Sequence, residues 1–296
     1  MTEAKQQQTN ALVLGGGGTT GVGWEMGILL GLHDGGIDVT SADLVVGTSA
    51  GSVVGAQVTS GFPLEELYAR QLQPLEKTKE QVVRFKLNEI WPVFTAGSGA
   101  PDAQTARARI GAAALAAHTP VEEERLEIIM SRLPTQEWPH KQRLVINSID
   151  AQTGAWITFE RNAGVPLAQA VAASCAVPGV YPPVTIGDHR YIDGGIRSGT
   201  NADVAKGYQR VLVLRAETFD ISALGSQNAT LFMSFEDEQA ELAQSGSRML
   251  VITPDEASAA ARGPNPLDAS RSAISAKAGR EQGRLLAASV RQFWQQ

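Results

Sequence analysis

The segment LVVGTSAGS (residues 44–52) decides the fold because it joins a strand, a sharp turn and the start of a helix. Residues 44–46 form a short apolar run, as expected for a strand covered on both faces. Gly47-x-Ser49-x-Gly51 matches the nucleophile-elbow pattern, in which the turn exposes a serine hydroxyl at the top of a sheet and at a helix N-terminus. The two glycines remove side chains that would collide with this turn. The segment therefore makes Ser49 a candidate nucleophile.

A second glycine-rich segment, GGGGTTG (residues 15–21), also follows an apolar run. Its glycine spacing fits the dinucleotide-binding fingerprint, which cradles a phosphate. That function would require an acidic residue at the end of the next strand. Asp38 and Asp43 instead precede the strand at residues 44–46, and that strand ends in the serine elbow. The sequence thus disfavours a dinucleotide, and we expect no cofactor.

A serine nucleophile needs a base, and two residues are candidates. His189 with Asp150 formally completes the order Ser, acid, His, but Ser49 would then lie too early for an α/β-hydrolase. We interpret His189 as a solvated turn residue. Asp193, in YIDGG, ends a short strand before two glycines that allow close approach to another loop. Taken alone, this Asp-Gly pair is better interpreted as a simple β-turn.

Composition limits the classes of function. The net charge is -6 and no basic block occurs, so we expect no nucleic-acid partner. The single cysteine, Cys175, excludes an internal disulfide framework and a multi-thiolate metal site, and we interpret it as a small buried residue. We predict no metal site. The polar N-terminus and the lack of a long apolar window predict a soluble, cytoplasmic protein.

Apolar runs alternate with helical stretches, which predicts an α/β layered fold with a mostly parallel sheet. We expect a disordered tail over residues 1–10 and a single domain over residues 11–296. Residues 63–143 contain little strand signal and predict a helical insertion, either a cap over the substrate pocket or ordinary covering helices. Residues 255–279 are interpreted as a loop that leads into a final helix at residues 280–293.

Three glycine-flanked motifs occur in a defined order: the loop at residues 15–21, the elbow at Ser49 and Asp-Gly-Gly at residues 193–195. Together with AVAASCAVPGVYPPV (residues 170–184), they resemble the patatin-like phospholipases, which are serine acyl hydrolases. The resemblance extends over about residues 12–213. It implies a three-layer α/β/α fold and a lipid acyl-ester hydrolase of the phospholipase, lysophospholipase or esterase type.

The resemblance also implies roles for individual residues. Ser49 would be the nucleophile and Asp193 the general base of a Ser–Asp dyad that forms an acyl-enzyme without a histidine. Backbone amides around three loop glycines would form the oxyanion hole. These loop glycines are Gly16, Gly17 and Gly18, and the other motif glycines are Gly21, Gly47, Gly51, Gly194 and Gly195.

The chain departs from the family pattern at Thr20, where many members carry Arg or Lys, and at Ala202, where the family often has proline after asparagine. The missing cation keeps an alternative open: a patatin-fold protein that binds a lipid or a protein partner with weak or no catalysis. A lipid or acyl-ester substrate implies transient contact with a membrane surface. Aromatic and aliphatic residues near position 90 either form a lipid-facing lip or pack in the core: Phe85, Ile90, Trp91, Val93 and Phe94.

Overall fold

The computed structural model describes residues 9–83, 87–216 and 233–295. Strands and helices alternate at the start and at the end of these ranges, whereas five helices follow one another between residues 50 and 132. The strands are β1 (Asn10–Leu14), β2 (Leu44–Gly47), β3 (Arg143–Asp150), β4 (Trp156–Phe159), β5 (Val184–Ile186), β6 (His189–Asp193), β7 (Arg210–Leu214) and β8 (Arg248–Ile252). The helices are α1 (Gly18–Asp34), α2 (Ala50–Val58), α3 (Leu64–Gln71), α4 (Leu87–Thr95), α5 (Ala103–Ala116), α6 (Glu122–Arg132), α7 (Leu167–Ser174), α8 (Phe235–Gln244), α9 (Glu256–Arg262) and α10 (Ser272–Gln295).

Within the described ranges, eight strands form one mixed sheet in the order β5-β6-β3-β2-β1-β7-β8, with β4 also paired to β3. The strands from β3 to β8 in this order run parallel, whereas β4, β5 and β6 pair antiparallel. The fold therefore has a mostly parallel central sheet with helices packed against it, which confirms the predicted α/β class.

Both faces of the central strands are buried. In β1, Leu12 and Leu14 pack into one apolar cluster, which contains residues of α1, α2, α7 and α10. Ala11 and Val13 pack into a second cluster on the opposite face, which includes Leu242 of α8. Because side chains alternate between the faces of a strand, each must be apolar when helices cover both faces. This double burial explains the unbroken apolar runs in the sequence.

The sheet brings the candidate motifs to one edge. Leu14 of β1, Gly47 of β2 and Ile146 of β3 lie at the same level. Two residues farther along β3, Ser148 pairs with Asp193 at the end of the antiparallel β6. The glycine loop, the elbow and Asp193 therefore meet at the carboxyl ends of the parallel strands, where ligands commonly bind in α/β sheets.

The prediction for the C-terminal region is wrong in two respects. Residues 255–279 contain α9 and the first part of α10, and α10 begins at Ser272 rather than near residue 280. The small residues at 272–279 belong instead to a helix that packs closely on α1. A Cβ on Gly27 of α1 would lie 2.1 Å from the carbonyl oxygen of Ala276, and one on Gly279 would lie 2.4 Å from that of Trp24.

Other boundaries are also corrected. Residues 1–8 of the predicted disordered tail lie outside the described residues, but Asn10 begins β1 and the carbonyl of Thr9 accepts hydrogen bonds from Gln209 and Arg210. The described residues between 63 and 143 include α3 to α6, and α3 ends at Gln71. Whether this region acts as a cap stays a prediction.

Four of the five residues of the predicted lip lie at positions 90–94, within α4. Trp91 is 42% exposed, whereas Val93 is buried and Phe94 packs beside it in the same apolar cluster. Ile90 packs against a small cluster with Val180 and Tyr181. Phe85, the remaining residue of the predicted lip, lies outside the described residues. The segment thus combines one exposed aromatic side chain with core packing.

Candidate active site

Ser49 lies in the sharp turn between β2 and α2. Its backbone has φ 52° and ψ -115°, a positive φ that is uncommon for a residue with a side chain. A Cβ on Gly47 would lie 2.6 Å from the Cα of Ser52, and one on Gly51 would lie 2.0 Å from the carbonyl oxygen of Leu14. The two glycines of the motif are therefore required by close backbone contacts, and the turn has the shape of a nucleophile elbow.

Contacts from α7 and α2 fix the elbow. The amide of Ser49 donates to the hydroxyl of Ser174 at 2.9 Å. The carbonyl of Ser49 accepts from the Ser52 hydroxyl at 2.7 Å and from the Cys175 thiol at 3.2 Å. Cys175 is buried, as predicted, and burial raises the pKa of its thiol, so it is held in the neutral form. These bonds hold the turn while Ser49 itself stays partly exposed.

Asp193 is buried at the end of β6 beside Ser49. Its Oδ1 accepts the amide of Gly195 at 2.8 Å. Burial raises the pKa of the Asp193 carboxyl to about 7, and the Gly195 amide, the Ser49 side chain and the charge of Arg125 each lower it in part. A Cβ on Gly194 would lie 2.4 Å from the carbonyl oxygen of Asn147 in β3. Only glycine therefore lets the backbone after Asp193 approach β3 this closely. A carboxyl with this pKa can take up and release a proton near neutral pH.

The three loop glycines differ in what their amides do. The amide of Gly16 already donates to the carbonyl of Gly199 at 2.7 Å. The amides of Gly17 and Gly18 find no acceptor in the part of the chain that the structure describes, and both residues are partly exposed. Gly18 is the first residue of α1, so its amide also lies at the positive end of that helix. The amides free to bind an anion are thus those of Gly17 and Gly18.

The loop is held by the C-terminal region, which the sequence did not indicate. Gly18 has φ 62°, and a Cβ there would lie 2.4 Å from the carbonyl oxygen of Pro266. That same carbonyl accepts the amide of Thr20 at 3.0 Å. Gly18 therefore needs to be glycine both for its backbone conformation and for this close approach. Gly21 is less constrained, because its nearest contact would be the Cβ of Ala50 at 3.4 Å.

The structure places His189 away from Ser49. His189 begins β6 and Asp193 ends it, so the two Cα atoms are about 13 Å apart at the usual rise of a strand. The half-exposed His189 has its Nδ1 2.6 Å from Oδ2 of Asp150. Sequence order alone suggested this Asp–His pair as part of a triad, but it lies at the other end of the strand from Asp193.

Asn201 is a site residue that sequence reasoning did not assign. It has a left-handed backbone with φ 49°, and its Nδ2 donates to the Thr48 hydroxyl at 3.1 Å and to the Ser198 carbonyl at 2.8 Å. Its Oδ1 accepts from Arg197 at 2.7 Å. Asn201 thereby ties the loop after Asp193 to the residue before Ser49. The available signal was its position before Ala202, where the family often has asparagine followed by proline.

In residues 9–83, 87–216 and 233–295, no group of three or more His, Cys, Asp or Glu side chains could hold a metal ion. None of the helices described there is both long enough and apolar enough to cross a bilayer.

Comparisons with known proteins identify similar sequences and structures. The profile of the family described as patatin-like phospholipase matches residues 12–206, which contain the glycine loop, Ser49 and Asp193. No curated protein matches the chain. Among solved structures, VipD from Legionella pneumophila is 14% identical with a TM-score of 0.44, and the alignment covers 97% of this chain and 69% of VipD. The type III effector protein ExoU is 13% identical with a TM-score of 0.34, and the alignment covers 94% of this chain and 54% of ExoU.

Proposed function

Because the chain belongs to the patatin-like phospholipase family, we propose that it hydrolyses acyl esters of lipids with Ser49 as nucleophile and Asp193 as base. The observation that carries the proposal is a buried carboxyl, with its pKa raised to about 7, beside a serine in a nucleophile elbow. A base with a pKa near the working pH combines the correct protonation state with useful proton affinity.

The first half of the proposed reaction acylates the serine. The Asp193 carboxylate takes the hydroxyl proton of Ser49 as Oγ bonds to the ester carbonyl carbon, and the carbonyl electron pair moves onto oxygen. Collapse of this tetrahedral intermediate breaks the bond to the leaving alcohol, and Asp193 returns the proton to the alcohol oxygen. The second half repeats these steps with water as nucleophile and releases the fatty acid.

The negative oxygen of the intermediate would bind at the amides of Gly17 and Gly18. Both amides lack acceptors among the described residues, and a preorganised donor stabilises charge that develops only in the transition state. The partial positive charge at the N-terminus of α1 also favours a negative oxygen at this point. The proposed oxyanion hole therefore uses two of the three predicted amides. The Gly16 amide could take part only by giving up its hydrogen bond to the Gly199 carbonyl.

The decisive experiment measures hydrolysis of p-nitrophenyl butyrate by wild type, Ser49→Ala and Asp193→Asn. We expect each variant to lose at least about 1,000-fold in kcat, because each removes a group that acts in the same step. A fluorophosphonate probe should label wild type and fail to label Ser49→Ala. Equal, slow hydrolysis by all three proteins would instead favour a protein that binds lipid or a partner without catalysis.

A further inference from the structure

Arg262, at the end of α9, is a fully buried arginine that contacts the glycine loop. Its Nη2 donates to the carbonyl oxygen of Gly17 at 3.2 Å. The same carbonyl accepts the amide of Gly21 at 3.0 Å. The loop at residues 15–21 contains no cationic side chain of its own, so the positive charge against it comes from a distant part of the chain.

The guanidinium group of Arg262 is not held by a close ion pair. Its Nε and Nη1 have no hydrogen-bond partner among the described residues, and neither has the carboxylate of the buried Glu25. Burial lowers the pKa of Arg262 to about 10, so the guanidinium stays charged at neutral pH. Burial also raises the pKa of Glu25 well above its usual value, and the nearby charge of Arg262 lowers it in part.

From these contacts we propose that Arg262 is a positioning residue that polarises the Gly17–Gly18 peptide and so strengthens the oxyanion hole. The Gly17 carbonyl and the Gly18 amide belong to one peptide group, so a charged donor on the carbonyl makes the amide a stronger donor. In a buried site with low dielectric, the positive charge also favours the negative intermediate directly. Arg262 thereby supplies the charge that Thr20 does not.

This inference rests on the proposed function, and its test is kinetic. Arg262→Gln is expected to lower kcat for p-nitrophenyl butyrate by about 10-fold to 100-fold, less than the loss of a direct oxyanion donor. KM should change by less than about 3-fold, because the interaction strengthens only as charge develops on the oxygen. Arg262→Lys, which keeps the charge, should recover most of kcat.

Controls separate this role from a structural one. Arg280→Gln removes another arginine of the C-terminal region, one that bonds Asp34 at 2.7 Å, and should leave kcat unchanged. Each variant is compared by circular dichroism and thermal unfolding. If Arg262→Gln does not fold, Arg262→Met removes the same charge and fills the cavity with apolar atoms.

Two outcomes would overturn the inference. One is an unchanged kcat in a folded Arg262→Gln or Arg262→Met protein. The other is an equal loss in Arg262→Lys and Arg262→Gln, which would mean that shape rather than charge matters. In both cases Ser49→Ala would still abolish hydrolysis. If wild type itself shows no activity that depends on Ser49, the proposed function fails, which is a distinguishable result.

Discussion

At the scale of single residues, the raised pKa of Asp193 lowers the stability of the folded protein. This pKa is about 7 in the folded protein and near 3.8 in an unfolded chain. Between about pH 4 and pH 7, the folded state therefore holds a proton that the unfolded state has released, and stability falls as pH rises. Above pH 7 the full cost is present, on the order of 4 kcal/mol.

We predict that Asp193→Asn raises Tm relative to wild type at pH 8 and that this gain shrinks at pH 5. The amide carries no charge to bury, so the gain at pH 8 should be on the order of 5 °C or more. Differential scanning calorimetry at the two pH values measures it directly.

Asp34→Asn is the matched control for this measurement. Arg280 and Arg284 lower the pKa of Asp34 below its usual value, so Asp34 is ionised at both pH values. Its Tm offset from wild type should not change between pH 5 and pH 8. A similarly constant offset in Asp193→Asn would contradict a raised pKa at that position.

At the scale of secondary structure, α1 and α10 pack through small residues at helical spacing. Gly23, Gly27 and Gly31 lie on one face of α1, each positioned so that a Cβ would strike the backbone or side chains of α10. Gly279 and Gly283 play the same part on α10. This close packing fixes the helix that begins at the proposed oxyanion loop.

Gly27→Ala is predicted to destabilise the protein by about 3 kcal/mol, because its Cβ would lie 2.1 Å from the carbonyl oxygen of Ala276 and the helices would have to separate. Urea unfolding gives the free energy. Leu285→Ala on α10 is the control, since Leu285 is 81% exposed and its loss should change stability by less than about 0.5 kcal/mol. Wild-type stability in Gly27→Ala would disprove the close packing.

At the scale of the whole molecule, the proposed site combines residues from both ends of the chain. The sheet aligns Ser49 with Asp193, and the C-terminal segment with Arg262 and Pro266 encloses the glycine loop. All the proposed chemical steps use side chains and backbone amides of this chain.

We therefore predict that hydrolysis persists in excess EDTA, within about 2-fold of the untreated rate, because neither attack by Ser49 nor proton transfer to Asp193 requires a metal ion. The assay compares p-nitrophenyl butyrate turnover before and after dialysis against the chelator. Complete loss of activity that added calcium restores would contradict a metal-independent dyad.

Local sequence determined the central strands and the turn at Ser49, because each depends on residues close together in the chain. Apolar runs identify strands covered on both faces, and Gly47 and Gly51 identify the turn that presents Ser49. The sequence could not separate Asp193 from an ordinary turn aspartate without the family resemblance. Its carboxyl becomes distinctive only through burial and through the neighbouring Ser49 side chain.

Tertiary structure alone decided what surrounds the glycine loop. Local sequence made residues 255–279 look like a loop because Pro264 and Pro266 interrupt an alanine- and serine-rich segment, whereas the helix that follows them is stabilised by packing on α1. The bond of Gly16 to Gly199 and that of Arg262 to Gly17 join residues far apart in sequence. Hydrogen bonds and charges act through space over a few ångströms, so only the folded chain could show which amides are free and which cation lies beside them.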